Sequence, residues 1–342
     1  MPTKMELAEF DFLDSREPGT MMVAVLDEPK KFSIRYAKIP EPGPGELRVK
    51  IKWVGICGSD LEAFRGSRDA EFISFPTRLG HEVAGTVDRV DEGVTNIRAG
   101  DRVTCRYVWG AYAEYIVCKP FNVKVVPPEV PMKDISLMEI FPSIVHTAEL
   151  AEIDSGRDVL IMGQGVSGLL ITQLIALYSP RALAVTDLKE KNLELAKRYG
   201  ATHTYRIPSR ETPTMEVVGK DFPEGFDVVI PCLLEGEGMI DAVDCAAMGG
   251  RIVMYGCIGK CRKTFDFFKV HRKRLEIYST EPRRDIDMRN FFNRGLDLAL
   301  DGLWNTGEIV THTLPLERIQ EAFEMKEENR PEVIHVLIDC EA

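Results

Sequence analysis

Two patterns of hydrophobic spacing divide this chain. From residue 22 to about 126, apolar positions come in short runs broken by turn residues. In "GPGELRVKIKWVGI", Leu47, Val49 and Ile51 alternate with Arg48, Lys50 and Lys52, which predicts a half-buried strand opened by a Pro/Gly turn. "HEVAGTVDRVDEGVTNIRAGDRVTCRYV" continues the pattern, with turns at Glu92-Gly93 and Ala99-Gly100-Asp101. "VVPPEVP" punctuates it, and helical periodicity follows from Ile135 to about Leu150. Near Ser155 the spacing changes. "DVLIMGQGVSGLLITQLIALYSP" is a continuous apolar strand, a glycine turn and a helix, and "ALAVTDLKEKNLELAKRYGA" repeats strand then helix. "FDVVIPCLL", a helix around Gly238–Met248 and "GRIVMYGCIG" repeat it again. Such alternation, running to about Thr280, predicts a doubly wound parallel sheet. Two more helical patterns, "DMRNFFNRGLDLALDG" and "PLERIQEAFEMKEEN", lead to a last strand, "EVIHVLIDC". No internal repeat appears.

Composition narrows the function classes. At 342 residues the chain is long for one core, and two domains are the natural expectation. A net charge of −11 argues against nucleic acid, whose phosphates call for clustered Lys and Arg. No run of eighteen apolar residues exists to span a membrane. The acidic start, "MPTKMELAEFDFLDSREPGT", lacks an apolar signal-peptide core and reads as a loosely held extension. The eight cysteines, at 57, 105, 118, 232, 245, 257, 261 and 340, form no Cys-x-x-Cys pair and no disulfide framework. Scattered thiols of this kind point to a reducing, cytoplasmic setting.

Two segments carry chemistry. Gly163-Gln-Gly165-Val-Ser-Gly168 closes an apolar strand and opens a helix at Val166, and Asp187 ends the next strand. The first glycine makes the tight turn, Gly165 lets the backbone approach a pyrophosphate, and Gly168 allows close helix–strand packing. The helix start offers N–H donors to phosphate. Asp187 is placed to accept hydrogen bonds from both adenine-ribose hydroxyls and to repel a 2′-phosphate, so NAD is expected over NADP. The other segment is "GICGSDLEAFRG" followed by "LGHEVAG". Cys57, His81 and Glu82, with a later carboxylate, offer zinc a mixed S, N and O site with an open position. No cysteine cluster closes the tetrahedron, which favours a catalytic over a structural ion.

The order and spacing of "GICGSD", "GHEVAGTV", "AGDRV", "GQGVSG" and "GGRIVMYG" resemble the zinc-dependent branch of the medium-chain dehydrogenase/reductases, nearest the polyol, threonine and glucose dehydrogenases. The resemblance runs from about Met22 to Asp339. It implies an α/β protein: a GroES-like β-rich catalytic domain built from both chain ends, with a Rossmann doubly wound parallel-sheet domain inserted. The expected bounds are 1–21 for the extension, 22–150 and 286–342 for the catalytic domain, and 151–285 for the NAD-binding domain. Cys57 and His81 match zinc ligands, and Glu82 matches an acid that ligates zinc in some relatives. Glu139, seven before His146, matches the glutamate of the polyol dehydrogenases and stands as a further ligand, direct or through water. Ser59 matches the hydroxyl that relays the substrate proton. Where many relatives have a histidine five residues after the cysteine, this chain has Glu62, which would pass the proton outward or hold a substrate hydroxyl. The lobe that would carry a structural zinc is missing, so one zinc per chain is expected.

The implied activity is reversible oxidation of an alcohol, expected to be a secondary alcohol of a polyol, sugar or amino alcohol, with zinc as Lewis acid and hydride passing to NAD. A homodimer or homotetramer is expected, with a small-molecule alcohol or carbonyl as partner and neither nucleic acid nor membrane. Phe64 and Trp109 are candidates for pocket walls or core. His271, His312 and His335 have no metal-ligand spacing and are given no role, and Cys257 with Cys261 is a weak candidate redox pair. The rival readings are a zinc-free enone or quinone reductase on the same fold and a non-catalytic NAD-binding redox sensor.

Overall fold

In the computed structural model, residues 12–67, 73–256, 259–280 and 285–341 are described. They fall into two units: one of residues 1–139 and 307–342, the other of residues 140–306. The chain opens with strands β1 (Thr20–Glu28), β2 (Lys31–Lys38) and β3 (Leu47–Gly55), then helix α1 (Gly58–Arg65). Strands β4 (Glu82–Val90), β5 (Arg102–Cys105), β6 (Tyr115–Cys118) and β7 (Val123–Val125) follow, then α2 (Met132–Leu137). The second unit runs α3 (Phe141–Ala151), β8 (Asp158–Met162), α4 (Val166–Ala176), β9 (Ala182–Asp187), α5 (Glu190–Arg198), β10 (His203–Arg206) and α6 (Thr214–Val218). It continues with β11 (Phe226–Pro231), α7 (Gly238–Cys245), β12 (Ala246–Met254), α8 (Phe267–Lys273), β13 (Glu276–Ser279) and α9 (Asp285–Leu300). The chain then returns to the first unit with β14 (Val310–Pro315), α10 (Ile319–Glu327) and β15 (His335–Asp339).

The first unit is built on a seven-stranded sheet, ordered β14-β15-β3-β4-β5-β7 with β6 also on β3. The predicted alternation holds for its apolar half: Leu47, Val49 and Ile51 of β3 are buried, while of the cations between them Lys50 is exposed, Lys52 half-buried and Arg48 buried in an ion pair with Asp88. Val83, Val103, Val336 and Ile338 join that core, and the rings of Phe32, Phe64 and Phe323 close it. Phe64 is therefore core and not a pocket wall. The C-terminal strand β15 pairs antiparallel with β3, with Leu337 opposite Gly55. Gly55 also lies opposite Glu82 of β4, so the end of β3 is where three distant segments meet.

The stretch ahead of β1 is held more firmly than its composition predicts. Leu13 and Tyr36 exchange backbone hydrogen bonds of 2.8 and 3.4 Å, and Phe12 packs against the buried face of Met21, Val23 and Val25. The strand starts at Thr20, not Met22. Residues 1–11 of the expected extension lie outside the described residues, as does Cys257.

The second unit is a six-stranded parallel sheet, β10-β9-β8-β11-β12-β13, with helices between its strands. Its bounds differ from those the sequence predicts, because α3 and α9 belong to it. Phe141 packs on Trp304 with ring centroids 4.2 Å apart, His146 stacks on Phe291, and the Trp304 indole donates to the Leu170 carbonyl at 3.1 Å. Helical periodicity locates an apolar face but not the sheet that will cover it. Among the described residues, no helix is long and apolar enough to cross a membrane.

Candidate metal centre and glycine-rich turn

Cys57 stands at the N-cap of α1, in extended conformation at the end of the β3 connection. Its backbone N–H donates to Oδ2 of Asp60 at 3.1 Å, so the aspartate closes the first turn and fixes the cysteine's place. The other Asp60 oxygen lies 3.5 Å from Nδ1 of His81 and accepts from the Gly80 N–H at 3.3 Å. Asp60 is fully buried, and the Tyr112 hydroxyl sits 3.0 Å from its Oδ2. One carboxylate thus aligns the helix carrying Cys57 with the loop carrying His81. With Nδ1 turned to Asp60, the other ring nitrogen of His81 is left to face a metal.

Glu82 is positioned from behind. Its Oε2 lies 3.2 Å from Nε2 of His335, the first residue of β15. Lys326 of α10 lies 3.3 Å from the other ring nitrogen of that histidine and donates to the Ile56 carbonyl. This packing is possible because residue 55 is glycine. A Cβ there would sit 2.0 Å from Glu82 Oε2 and 2.6 Å from His335 Nε2. The missing side chain on the central strand lets a carboxylate from one neighbour meet an imidazole from the other.

Cys57, His81 and Glu82 bring one sulfur, one nitrogen and one oxygen within 4.8 Å of one another; among the described residues no other such group of three forms. The charged groups of the site compensate one another. Burial pushes the Glu82 carboxyl up, but His335, His81 and Lys326 outweigh it and bring it down to about 2. Burial pushes His81 down, yet Asp60 and Cys57 hold it well above the ordinary histidine value. His81 Nδ1 and Glu82 Oε2 are buried without a hydrogen-bond partner. A group of one thiol, one imidazole and one carboxylate, the last two buried, fits zinc and leaves a position open.

The other expected residues are placed as follows. Ser59 lies in the first turn of α1, partly exposed, and Glu62 is buried one turn on. Trp109 lies over the His81 ring at 4.5 Å. Glu139 is buried but outside the three-donor group, its carboxylate 2.9 Å from Arg106. His146 sits in the second unit, its Nδ1 2.8 Å from the Thr280 carbonyl. Asp60, Lys326 and His335 are the partners that sequence reasoning missed. Asp60 was visible as the last letter of "GICGSD", three residues after the cysteine, which is capping-box spacing. His335 had no local signal, since it reaches the site only through strand pairing.

In the second unit, Gly163 has φ +89° and ends β8, while Gly165 caps α4 and faces open space. A Cβ on Gly168 would lie 1.9 Å from the Gly163 carbonyl oxygen, so the turn closes only on glycine. Val166 and Ser167, partly exposed, begin the helix. The Gln164 side chain turns inward, donating to the Gly163 carbonyl and accepting from Thr172. Asp187 Oδ2 accepts from the Gln164 N–H at 2.7 Å, and Oδ1 accepts from Lys189 N–H at 2.8 Å and the Asn192 amide at 3.3 Å. Burial raises its pKa against these hydrogen bonds.

Two family models match these units. One, described as the alcohol dehydrogenase GroES-like domain, matches residues 43–128; the other, described as zinc-binding dehydrogenase, matches residues 168–294. The chain belongs to the medium-chain dehydrogenases of the alcohol dehydrogenase superfamily. It is 26% identical to a sorbitol dehydrogenase of Bacillus subtilis (strain 168), over 94% of this chain and 98% of that protein. It is 29% identical to an L-threonine 3-dehydrogenase of Coxiella burnetii, over 85% and 92%. The crystal structure of RspB from Escherichia coli CFT073, described as a complex with NADH, superposes with a TM-score of 0.81 at 25% identity, covering 94% of this chain and 99% of that one. The GroES-like and Rossmann architecture expected from the sequence is therefore that of this oxidoreductase family.

Proposed function

We propose that this medium-chain dehydrogenase is a zinc-dependent, NAD-linked enzyme that interconverts the secondary alcohol of a polyol, sugar or amino alcohol with its carbonyl. The observation that carries the reading is the Cys57–His81–Glu82 donor group, its thiol half-buried and its other two side chains buried, in one chain with a glycine-rich turn hydrogen-bonded to Asp187. Cys57, His81 and Glu82 would hold the zinc, one per chain, and the ion would supply Lewis-acid polarisation of the substrate oxygen. Bound NAD would supply the hydride acceptor. The chain's own residues do the rest. Asp60 orients His81, and His335 stands behind Glu82 at 3.2 Å. Ser59, beside the cysteine and partly exposed, relays the substrate hydroxyl proton by passing its own to solvent as it accepts that proton, and Glu62 accepts a hydrogen bond from a further substrate hydroxyl.

The cofactor preference rests on Asp187. A carboxylate accepts about four hydrogen bonds, and three of these are already taken by the chain. That leaves room for one ribose hydroxyl without displacing an internal donor, and a 2′-phosphate would meet a negative charge. The sorbitol and threonine dehydrogenase relatives support a polyhydroxylated or amino alcohol substrate. The test is metal analysis of purified protein with a substrate screen following NADH absorbance. The expected result is about one zinc per chain and faster turnover of a polyol, sugar or amino alcohol than of short alkyl alcohols. Full activity in protein stripped of metal would overturn the reading.

A further inference from the structure

Arg106 is a cation beside the candidate metal centre that the chemistry above does not use. It lies one residue past β5, and its backbone is fixed twice by Asn122: its N–H donates to the Asn122 carbonyl at 2.8 Å, and the Asn122 side-chain amide donates to its carbonyl at 3.0 Å. Its guanidinium packs over the Tyr107 ring. From this position Nη1 donates both to Oε1 of Glu139, at 2.9 Å, and to the Glu139 backbone carbonyl. The two side chains are only 12% and 9% exposed. Glu139 is thus anchored at side chain and backbone by one guanidinium. Cys105, the residue before Arg106, pairs with Val83, the neighbour of Glu82, so the Arg106–Glu139 pair stands beside the donor group without joining it.

We propose that Arg106 is a positioning residue that holds Glu139 out of the metal's coordination sphere, so that three protein donors remain and the fourth position is left for the substrate oxygen. The inference rests on the reading that Cys57, His81 and Glu82 hold zinc. A buried carboxylate near a divalent cation is drawn towards it, and a second glutamate on zinc would complete a closed tetrahedron of the structural kind. A charge-assisted pair with a buried guanidinium is the competing partner that prevents this. Removing the guanidinium takes away the ion-pair partner of the buried Glu139 carboxylate and leaves it free to turn to the metal.

The test compares wild type with Arg106→Gln, Arg106→Lys, Glu139→Gln and the Arg106→Gln/Glu139→Gln double variant. It reads zinc affinity by chelator competition and the visible spectrum of the cobalt-substituted protein. Arg106→Gln should bind zinc about tenfold more tightly and shift the cobalt spectrum. Both changes should vanish in the double variant, and Arg106→Lys should stay near wild type. Glu139→Gln alone should leave affinity within about twofold. Unchanged affinity and spectrum in Arg106→Gln, or a change that survives in the double variant, would overturn the proposal. If Arg106→Gln does not fold, Glu139→Gln decides: a tenfold loss of zinc would make Glu139 a ligand and end the idea. A wild type that takes up neither zinc nor cobalt defeats the zinc reading itself, which is a distinct result.

Discussion

The glycine-rich turn of the second unit and the metal-donor group of the first meet opposite demands. The turn works with backbone: Gly163, Gly165 and Gly168 shape a helix start whose N–H groups can receive a phosphate, and Asp187, at the end of the adjacent strand, ties it. All its parts lie within one strand–helix–strand stretch. The donor group works with side chains, and buried charges need compensation that a single loop does not supply. Its supports come from α1, the loop around Tyr112, α10 and β15, so that Glu82 depends on a residue 253 positions further along the chain. A backbone site can be written locally. A buried ionic site has to be collected.

The comparison breaks most sharply at His81. His81→Ala should lower alcohol turnover about 10³-fold, a loss of several kcal/mol of transition-state stabilisation, while NADH binding, followed by fluorescence, stays within about twofold. Loss of NADH binding in parallel would mean that the two sites are not separable. Next in size are the remote supports. Gly55→Ala forces Glu82 and His335 apart, and His335→Ala removes the partner. Each should cost roughly 10–100-fold in zinc affinity measured against a chelator, with Gly55→Ala also losing about 1–3 kcal/mol in denaturant stability. Zinc affinity unchanged in both would show that Glu82 needs no support from β15.

A smaller effect is expected in the glycine-rich unit. Asp187→Asn keeps an acceptor for the Gln164 N–H but removes the charge, and should narrow the preference for NAD over NADP by about tenfold in kcat/KM. A wild type that prefers NADP would reverse the role given to Asp187. The smallest effect is at Cys118, buried in the first unit's core. Cys118→Ala should lower stability by about 1 kcal/mol and leave the zinc content unchanged. Lost metal would reveal a second site there.

What was legible follows the same division. The alternation of β3, the β–α repeats of the second unit and the turn at Gly163 are local patterns, and the structure has them close to where the sequence placed them. Cys57, His81 and Glu82 were legible too, because α1 and β4 each begin at their motif. The errors came where packing partners decide. Periodicity could not say that α3 and α9 belong to the unit of the parallel sheet, and it left Phe64 open between pocket wall and core, where it packs with Phe32 and Phe323. Residues 12–19, read as loose from their polarity, are held by a backbone bridge that composition does not encode.

By itself, the amino-acid sequence determined which residues can ligate a metal, which turn can approach a phosphate, and which segments become strands or helices. Each of these depends on residue type and short-range spacing. Tertiary structure alone decided that His335, which spacing left without a role, backs Glu82 across the gap at Gly55, and that Glu139 is held by Arg106 outside the donor group. The physical reason is that a buried charge takes the nearest compensating partner in space, and strand pairing sets that distance with no trace in the neighbouring sequence.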